Sequence, residues 1–235
     1  MAKKDVCILL LDLIRDVLSG RSVDFLTIVV SIFSSLAVVF LTMPVHEFAH
    51  AYVADKLGDP TPRYTGRLTL NPLKHIDYMG AAFIILFGFG WAKPVQVNTR
   101  YFQNPKRDMA ITAVAGPISN ILMCFIILLI RNIFLLLPDS QVIYIIALFL
   151  TYIAYINVYL AIFNLIPVPP LDGSRLLSAF LPYKYYYALM RYERYIFYGI
   201  MLLLWTGVLS APITLATEKV INAISLVAAL PFNFF

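Results

Sequence analysis

The sequence predicts an all-α polytopic membrane protein with about four to six transmembrane helices and one short re-entrant or β-like segment near residues 78–98. Three observations carry this reading. Of the 235 residues, 61% are hydrophobic and only 13% charged, where soluble domains carry about 25% charged residues. The mean hydropathy is +0.82. Long uncharged apolar runs recur along the chain, and no stretch has the composition of a soluble domain of any size.

Taken in order, residues 1–24 come first. Lys3 and Lys4 precede the apolar stretch CILLLDLI, but Asp12, Arg15 and Asp16 interrupt it and no small-residue cleavage site comes after it. Asp5, Asp12 and Asp16 share one narrow helical stripe, which predicts an interfacial helix or a shortened span rather than a removable signal. Residues 25–235 form a single transmembrane domain. The runs 25–45, 109–137, 143–166 and 195–213 each approach or exceed the ~20 residues that a bilayer-spanning helix needs. The run 78–91 is shorter and contains Gly80, Gly88 and Gly90, so it reads as re-entrant or sheet-like. Lys93-Pro94-Val95-Gln96-Val97 alternates in polarity, as either a strand edge or a surface loop does. Gly116 and Pro117 in AGPISN predict close helix approach or a kink, with Asn120 bonding across helices.

Twelve of the 18 Lys and Arg residues fall in the connections 56–74, 93–107 and 175–194. If the run 78–91 returns to its own side, all three connections share one face, and the hairpin near Pro138 lies opposite with Arg131 alone. Positive charge marks the cytoplasmic side. The natural partner of these cations is anionic lipid, and nothing indicates nucleic acid. The tyrosine-rich stretch 183–198 reads as an aromatic belt at headgroup level. Cys7 and Cys124 lack the close spacing of a metal or redox pair and read as packing residues.

Directly after the run 25–45 stands His46-Glu47-Phe48-Ala49-His50. Positions four apart lie on one helical face, so both imidazoles can bind one Zn²⁺ while Glu47 is free to act as a base on water. Catalytic zinc usually takes three protein ligands. The candidates for the third are His75, in NPLKHID, and Asp172, in NLIPVPPLDGSR. Pro167, Pro169 and Pro170 forbid a continuing helix before Asp172, and such a break lets a carboxylate reach a metal. The same residue could equally cap the next helix. Asn157 and Asn164 share one face of the span leading into the break. Interhelical hydrogen bonding accounts for both, and Asn164 could also donate to a substrate carbonyl.

These motifs resemble, in order, those of the site-2 protease family of intramembrane zinc metalloproteases. The resemblance rests on HEFAH at the end of a span, GRLTLNPLKHID, FGWAKPVQVN, AGPISN and FNLIPVPPLDGSRLL, and runs from about residue 42 to 177. It is nearest to the compact bacterial and archaeal members, and the PDZ and CBS domains of many relatives have no counterpart here. The resemblance implies that His46, His50 and Asp172 are the ligands of one zinc ion per chain. It further implies that Glu47 is the catalytic glutamate and that Asn164 matches an asparagine assisting near the metal.

The activity this implies is peptide-bond hydrolysis in or near the spans of single-span membrane substrates. The site would face the cytoplasm, in a bacterial or archaeal plasma membrane. The competing reading is a zinc carrier or sensor without proteolysis, for which Glu47 would have no use.

Overall fold

The computed structural model describes residues 24–87, 91–177 and 179–232, and every regular element among them is helical. Residues 1–23, which carry Cys7 and all but the last residue of the segment 1–24 expected to hold an interfacial helix or shortened span, lie outside the described residues. Four helices are long and apolar enough to cross a bilayer: α1 (Phe25–Lys56), α5 (Pro105–Phe134), α6 (Gln141–Asn164) and the last, α10 (Ser210–Ala229), which continues as a 3₁₀ turn to Phe232. Between α1 and α5 lie three short helices, α2 (Thr61–Tyr64), α3 (Pro72–His75) and α4 (Tyr78–Phe87). Between α6 and α10 lie α7 (Asp172–Leu177), α8 (Tyr183–Arg191) and α9 (Glu193–Trp205). The protein is an integral membrane protein.

At the centre stands α6, buried continuously from Tyr152 to Ala161 and packed against α1, α5 and α10. Where lipid is as apolar as the core, packing and interhelical hydrogen bonds hold helices together. Ser34 Oγ donates to the Phe149 carbonyl at 3.4 Å, and Asn157 Nδ2 donates to Thr42 Oγ1 at 3.1 Å. Both partners advance by eight residues between the two bonds, so α1 and α6 run parallel. On the opposite flank, Asn132 Nδ2 donates to the Ala228 carbonyl at 3.0 Å and ties α5 to α10. The outer face of α5 exposes Ile111, Ile118, Leu122, Ile126, Ile130 and Ile133 at helical spacing, a stripe suited to lipid.

Along α1, a π-helical turn at Val38–Thr42 falls just before Pro44. Proline has no N–H to give the carbonyl four residues earlier, and a widened turn absorbs that loss. The turn also resets the phase of the helix just before the HEFAH residues.

One expectation is narrowed and one corrected. First, of the re-entrant and β-like readings of the segment near 78–98 the β-like one falls away, because the segment forms no strand among its described residues. Its first part is the ten-residue helix α4, too short to span, and residues 91–98 run irregularly, with Val95 buried and Lys93, Pro94 and Gln96 exposed. The Lys93 N–H donates to the His75 carbonyl at 2.7 Å, and the Val95 and Asn98 N–H groups go to the Glu47 and Asp59 carboxylates, so the segment is anchored by separate bonds rather than by a ladder. Second, the run 195–213 is not one span. Gly207, at φ +84°, closes α9 in the left-handed conformation that glycine adopts without penalty, and the crossing helix starts three residues later. Glu218 and Lys219 lie inside that helix and interrupt its hydropathy, which moved the predicted span one element too early.

Candidate metal centre

The HEFAH residues occupy the middle of the second half of α1, where the helix is flanked by α5 and by the break after α6. His46, Glu47 and His50 are all buried. Asp172, the first residue of α7, is carried to them by the Pro167–Pro170 region after α6 ends at Asn164. Its Oδ2 lies 3.2 Å from His46 Nε2 and 3.1 Å from His50 Nε2, and the two Nε2 atoms are 3.1 Å apart. Ligands at the zinc bond lengths of ~2.0–2.1 Å in a tetrahedral shell lie about 3.3 Å from one another. The three donor atoms therefore form one face of such a tetrahedron, and together they are the residues in the described chain that could hold a metal ion.

The outward nitrogens fix the tautomers. His46 Nδ1 is 3.3 Å from Asn120 Oδ1, and His50 Nδ1 is 2.7 Å from the Thr112 carbonyl. Both acceptors require an Nδ1–H, which leaves both Nε2 lone pairs pointing into the centre, the arrangement metal-ligating imidazoles need. Asn120 and Thr112 belong to α5, so that helix supplies the outer support of both rings.

Gly116, between them on α5, leaves the centre its room. A Cβ built there would stand 2.3 Å from His50 Nε2 and 2.6 Å from His46 Nε2. Those separations approach metal–nitrogen bond lengths, so a side chain at this position would fill the space a cation takes. The donor set and the glycine cradle thus both fit Zn²⁺.

Burial alone would raise the Asp172 carboxyl. When the rings carry protons on Nε2 as well, the positive charge on His50 and the hydrogen bonds from both histidines pull harder in the other direction and hold it well below the usual carboxylate range; a bound cation takes the place of those Nε2 protons. Asp172 therefore presents an anionic oxygen to the centre, as a ligand must.

Glu47 does not belong to the group of three donors. Its Oε2 accepts the Val95 backbone N–H at 3.1 Å, which fixes the carboxylate on the wall of a cavity of about 430 Å³ shared with His46, His50, Asp172 and Asn164. The far wall is aromatic. The Trp91 ring lies 5.1 Å from that of Phe83 on α4 and 5.3 Å from that of Phe197 on α9, so three separate elements close over the centre. The result is a largely apolar cleft with a few convergent polar groups.

Of the two candidates for the third ligand, the structure brings Asp172 to the imidazoles and leaves His75 elsewhere. His75 is fully buried, with Nε2 2.8 Å from the Thr69 carbonyl, and it shapes the loop before α4. Asn157 serves the α1–α6 contact described above. Asn164 lies on the cavity wall, where its Nδ2 donates to the Leu160 carbonyl of its own helix at 3.0 Å. Asn120 does bond across helices, as AGPISN predicts, but the group it meets is His46, and the motif gives no sign of that orienting role. Thr112 and Val95 carry no signal in the sequence, because each contributes a backbone group that no side-chain motif records.

A family model, Peptidase family M50, matches residues 132–207, a stretch that includes Asp172. YwhC of Bacillus subtilis is 41% identical over 150 residues, covering 60% of this chain and 66% of that protein. Rip2 of Mycolicibacterium smegmatis is 30% identical over 176 residues, covering 72% and 66%. MJ0611 of Methanocaldococcus jannaschii is 29% identical over 137 residues, covering 57% and 63%. All three carry provisional names as zinc metalloproteases, and the matched stretch spans about two thirds of their length. No solved structure matches significantly. With its donors converging at the end of a membrane span, in the order the motifs predict, the chain belongs to peptidase family M50, the site-2 protease family of zinc metalloproteases.

Proposed function

We propose that this protein hydrolyses peptide bonds in or beside the transmembrane segments of membrane-anchored proteins, from the cytoplasmic side of a bacterial or archaeal plasma membrane. The observation that carries the reading is Glu47. It stands next to a three-donor zinc centre, in a cleft large enough for a peptide, on a helix that crosses the bilayer. His46 lies 21 residues after Phe25, about 32 Å along the helix at ~1.5 Å per residue, so the centre is nearer the surface at which α1 ends and the path to water is short. The basic connections 56–74, 93–107 and 175–194 support a cytoplasmic assignment for that surface.

A zinc ion held by His46, His50 and Asp172 supplies Lewis acidity toward a carbonyl oxygen and toward water. Glu47 takes the proton of the attacking water and returns it to the leaving amine. The Val95 N–H holds the carboxylate in place for both transfers. Asn164, across the cavity, is positioned to donate to the substrate carbonyl once its amide turns from Leu160. A helical substrate hides its peptide groups, so it must unwind locally. The irregular segment 91–98 offers backbone groups with which an unwound strand can pair.

Glu47→Gln tests this directly. The variant should bind zinc as wild type does and lose cleavage of a single-span substrate by a factor of about 10² or more, the usual weight of a general base. Cleavage by Glu47→Gln at the wild-type rate would refute the assignment, and a binding-only protein would show no cleavage in either form.

A further inference from the structure

The last span, α10, carries two charged side chains that no described residue answers. Its buried residues, Ile213, Thr217 and Ala228, face α5 and α6. The opposite side exposes Leu215, Glu218, Lys219, Asn222 and Leu226 at helical spacing. Neither Glu218 nor Lys219 has an ion pair or hydrogen bond among the described residues.

These groups lie within the apolar layer. Ala228 is level with Asn132 of α5, and Glu218 is ten residues back, about 15 Å along the axis. On α5, Asn132 is twelve residues, about 18 Å, from Asn120, which touches His46. Glu218 and Lys219 therefore stand near the level of Asn120, inside the apolar run 109–137. Ionisable groups at such depth are costly when they face lipid and as a rule meet a counter-charge. The outer face of α5 at the same depth is purely apolar, which is what lipid contact selects.

We propose that α10 is the contact between two copies of this chain, related by a two-fold axis along the membrane normal. Charge complementarity selects a second copy as the occupant. Glu218 and Lys219 are neighbours of opposite sign at one depth, so a two-fold axis sets the carboxylate of each copy against the ammonium of the other, twice per dimer. Asn222, one turn beyond Glu218, adds an amide that can bond across the axis. The metal centres stay on the far side of each bundle, behind α5 and α6.

The test uses the full chain in native membranes, with Leu215→Cys as the site for a bismaleimide cross-link and Ile126→Cys on the lipid face of α5 as control. The Leu215→Cys chain should cross-link to a dimer and the control should not. Added Glu218→Lys or Lys219→Glu should each reduce the dimer about tenfold or more, while the double reversal restores it. Differently tagged Glu218→Lys and Lys219→Glu chains, made together, should copurify although neither associates with itself. Zinc content at the wild-type level certifies the fold of each variant. Equal cross-linking of test and control, charge-insensitive dimers, or no recovery in both the double reversal and the mixed pair would overturn the proposal. The last result would assign the counter-charge to a different chain or to residues 1–23.

Discussion

Replacing Gly116 with alanine adds one methyl group at the place where two imidazoles converge. The new Cβ would stand 2.3 Å from His50 Nε2, 2.6 Å from His46 Nε2 and 2.6 Å from His46 Cε1. Ordinary contacts between such atoms are ~3.5 Å or more, so the overlap is about 1 Å on both rings at once. Neither ring can retreat freely, since Nδ1 of each is tied to α5 itself, through Asn120 and the Thr112 carbonyl. Metal sites tolerate ligand displacements of only ~0.2 Å.

Disturbing the outer partner of one ligand typically costs 10–100-fold in metal affinity, and this change displaces two ligands directly. We expect zinc affinity to fall by at least about 100-fold, or roughly 2.7 kcal/mol, with an overpacking cost to the fold of ~1–3 kcal/mol. Competition with a chromophoric chelator measures the first quantity, and metal content after dialysis gives a second reading. Gly199→Ala is the control, because a Cβ there meets nothing within 4 Å. If Gly116→Ala binds zinc as tightly as Gly199→Ala, the centre is not where the structure puts it.

Three further outcomes separate the roles of neighbouring residues. Asp172→Ala should abolish stoichiometric zinc, whereas His75→Ala should keep it and lose about 1–3 kcal/mol of stability with the buried bond to Thr69; the reverse pattern in metal analysis would exchange their roles. Asn120→Ala should weaken zinc about 10–100-fold through a freed His46 ring, read by the same chelator titration, with Asn120→Asp retaining more than alanine does. Val95→Pro removes the N–H that holds Glu47 and should lower turnover while zinc content stays at the wild-type level; unchanged turnover would show that the carboxylate needs no such anchor.

The class, the spans α1, α5 and α6 and the pairing of His46 with His50 were legible because they are local. A bilayer demands length and apolarity of each span, and those are properties of a contiguous run. The HEFAH pair is likewise local, since one helical turn brings His46 and His50 to the same face whatever the rest of the chain does. The last span escaped the same logic. Its charges, Glu218 and Lys219, break the apolar run that a window detects, while a single left-handed glycine, Gly207, divides a run that looks continuous.

The sequence by itself determined that two imidazoles and a glutamate share one turn at the edge of the membrane, because backbone geometry alone enforces it. The residues alone left Asp172 and His75 open and the family resemblance favoured Asp172; the tertiary structure is what brings Asp172 to the imidazoles, since it is separated from His46 by 126 positions and reaches it through the packing of α6 on α1. The same holds for the cradle at Gly116, the clamp of Asn120 on His46 and the Val95 amide on Glu47. Each depends on how closely two helices or a loop approach, a distance set by the whole packed bundle and written in no single segment.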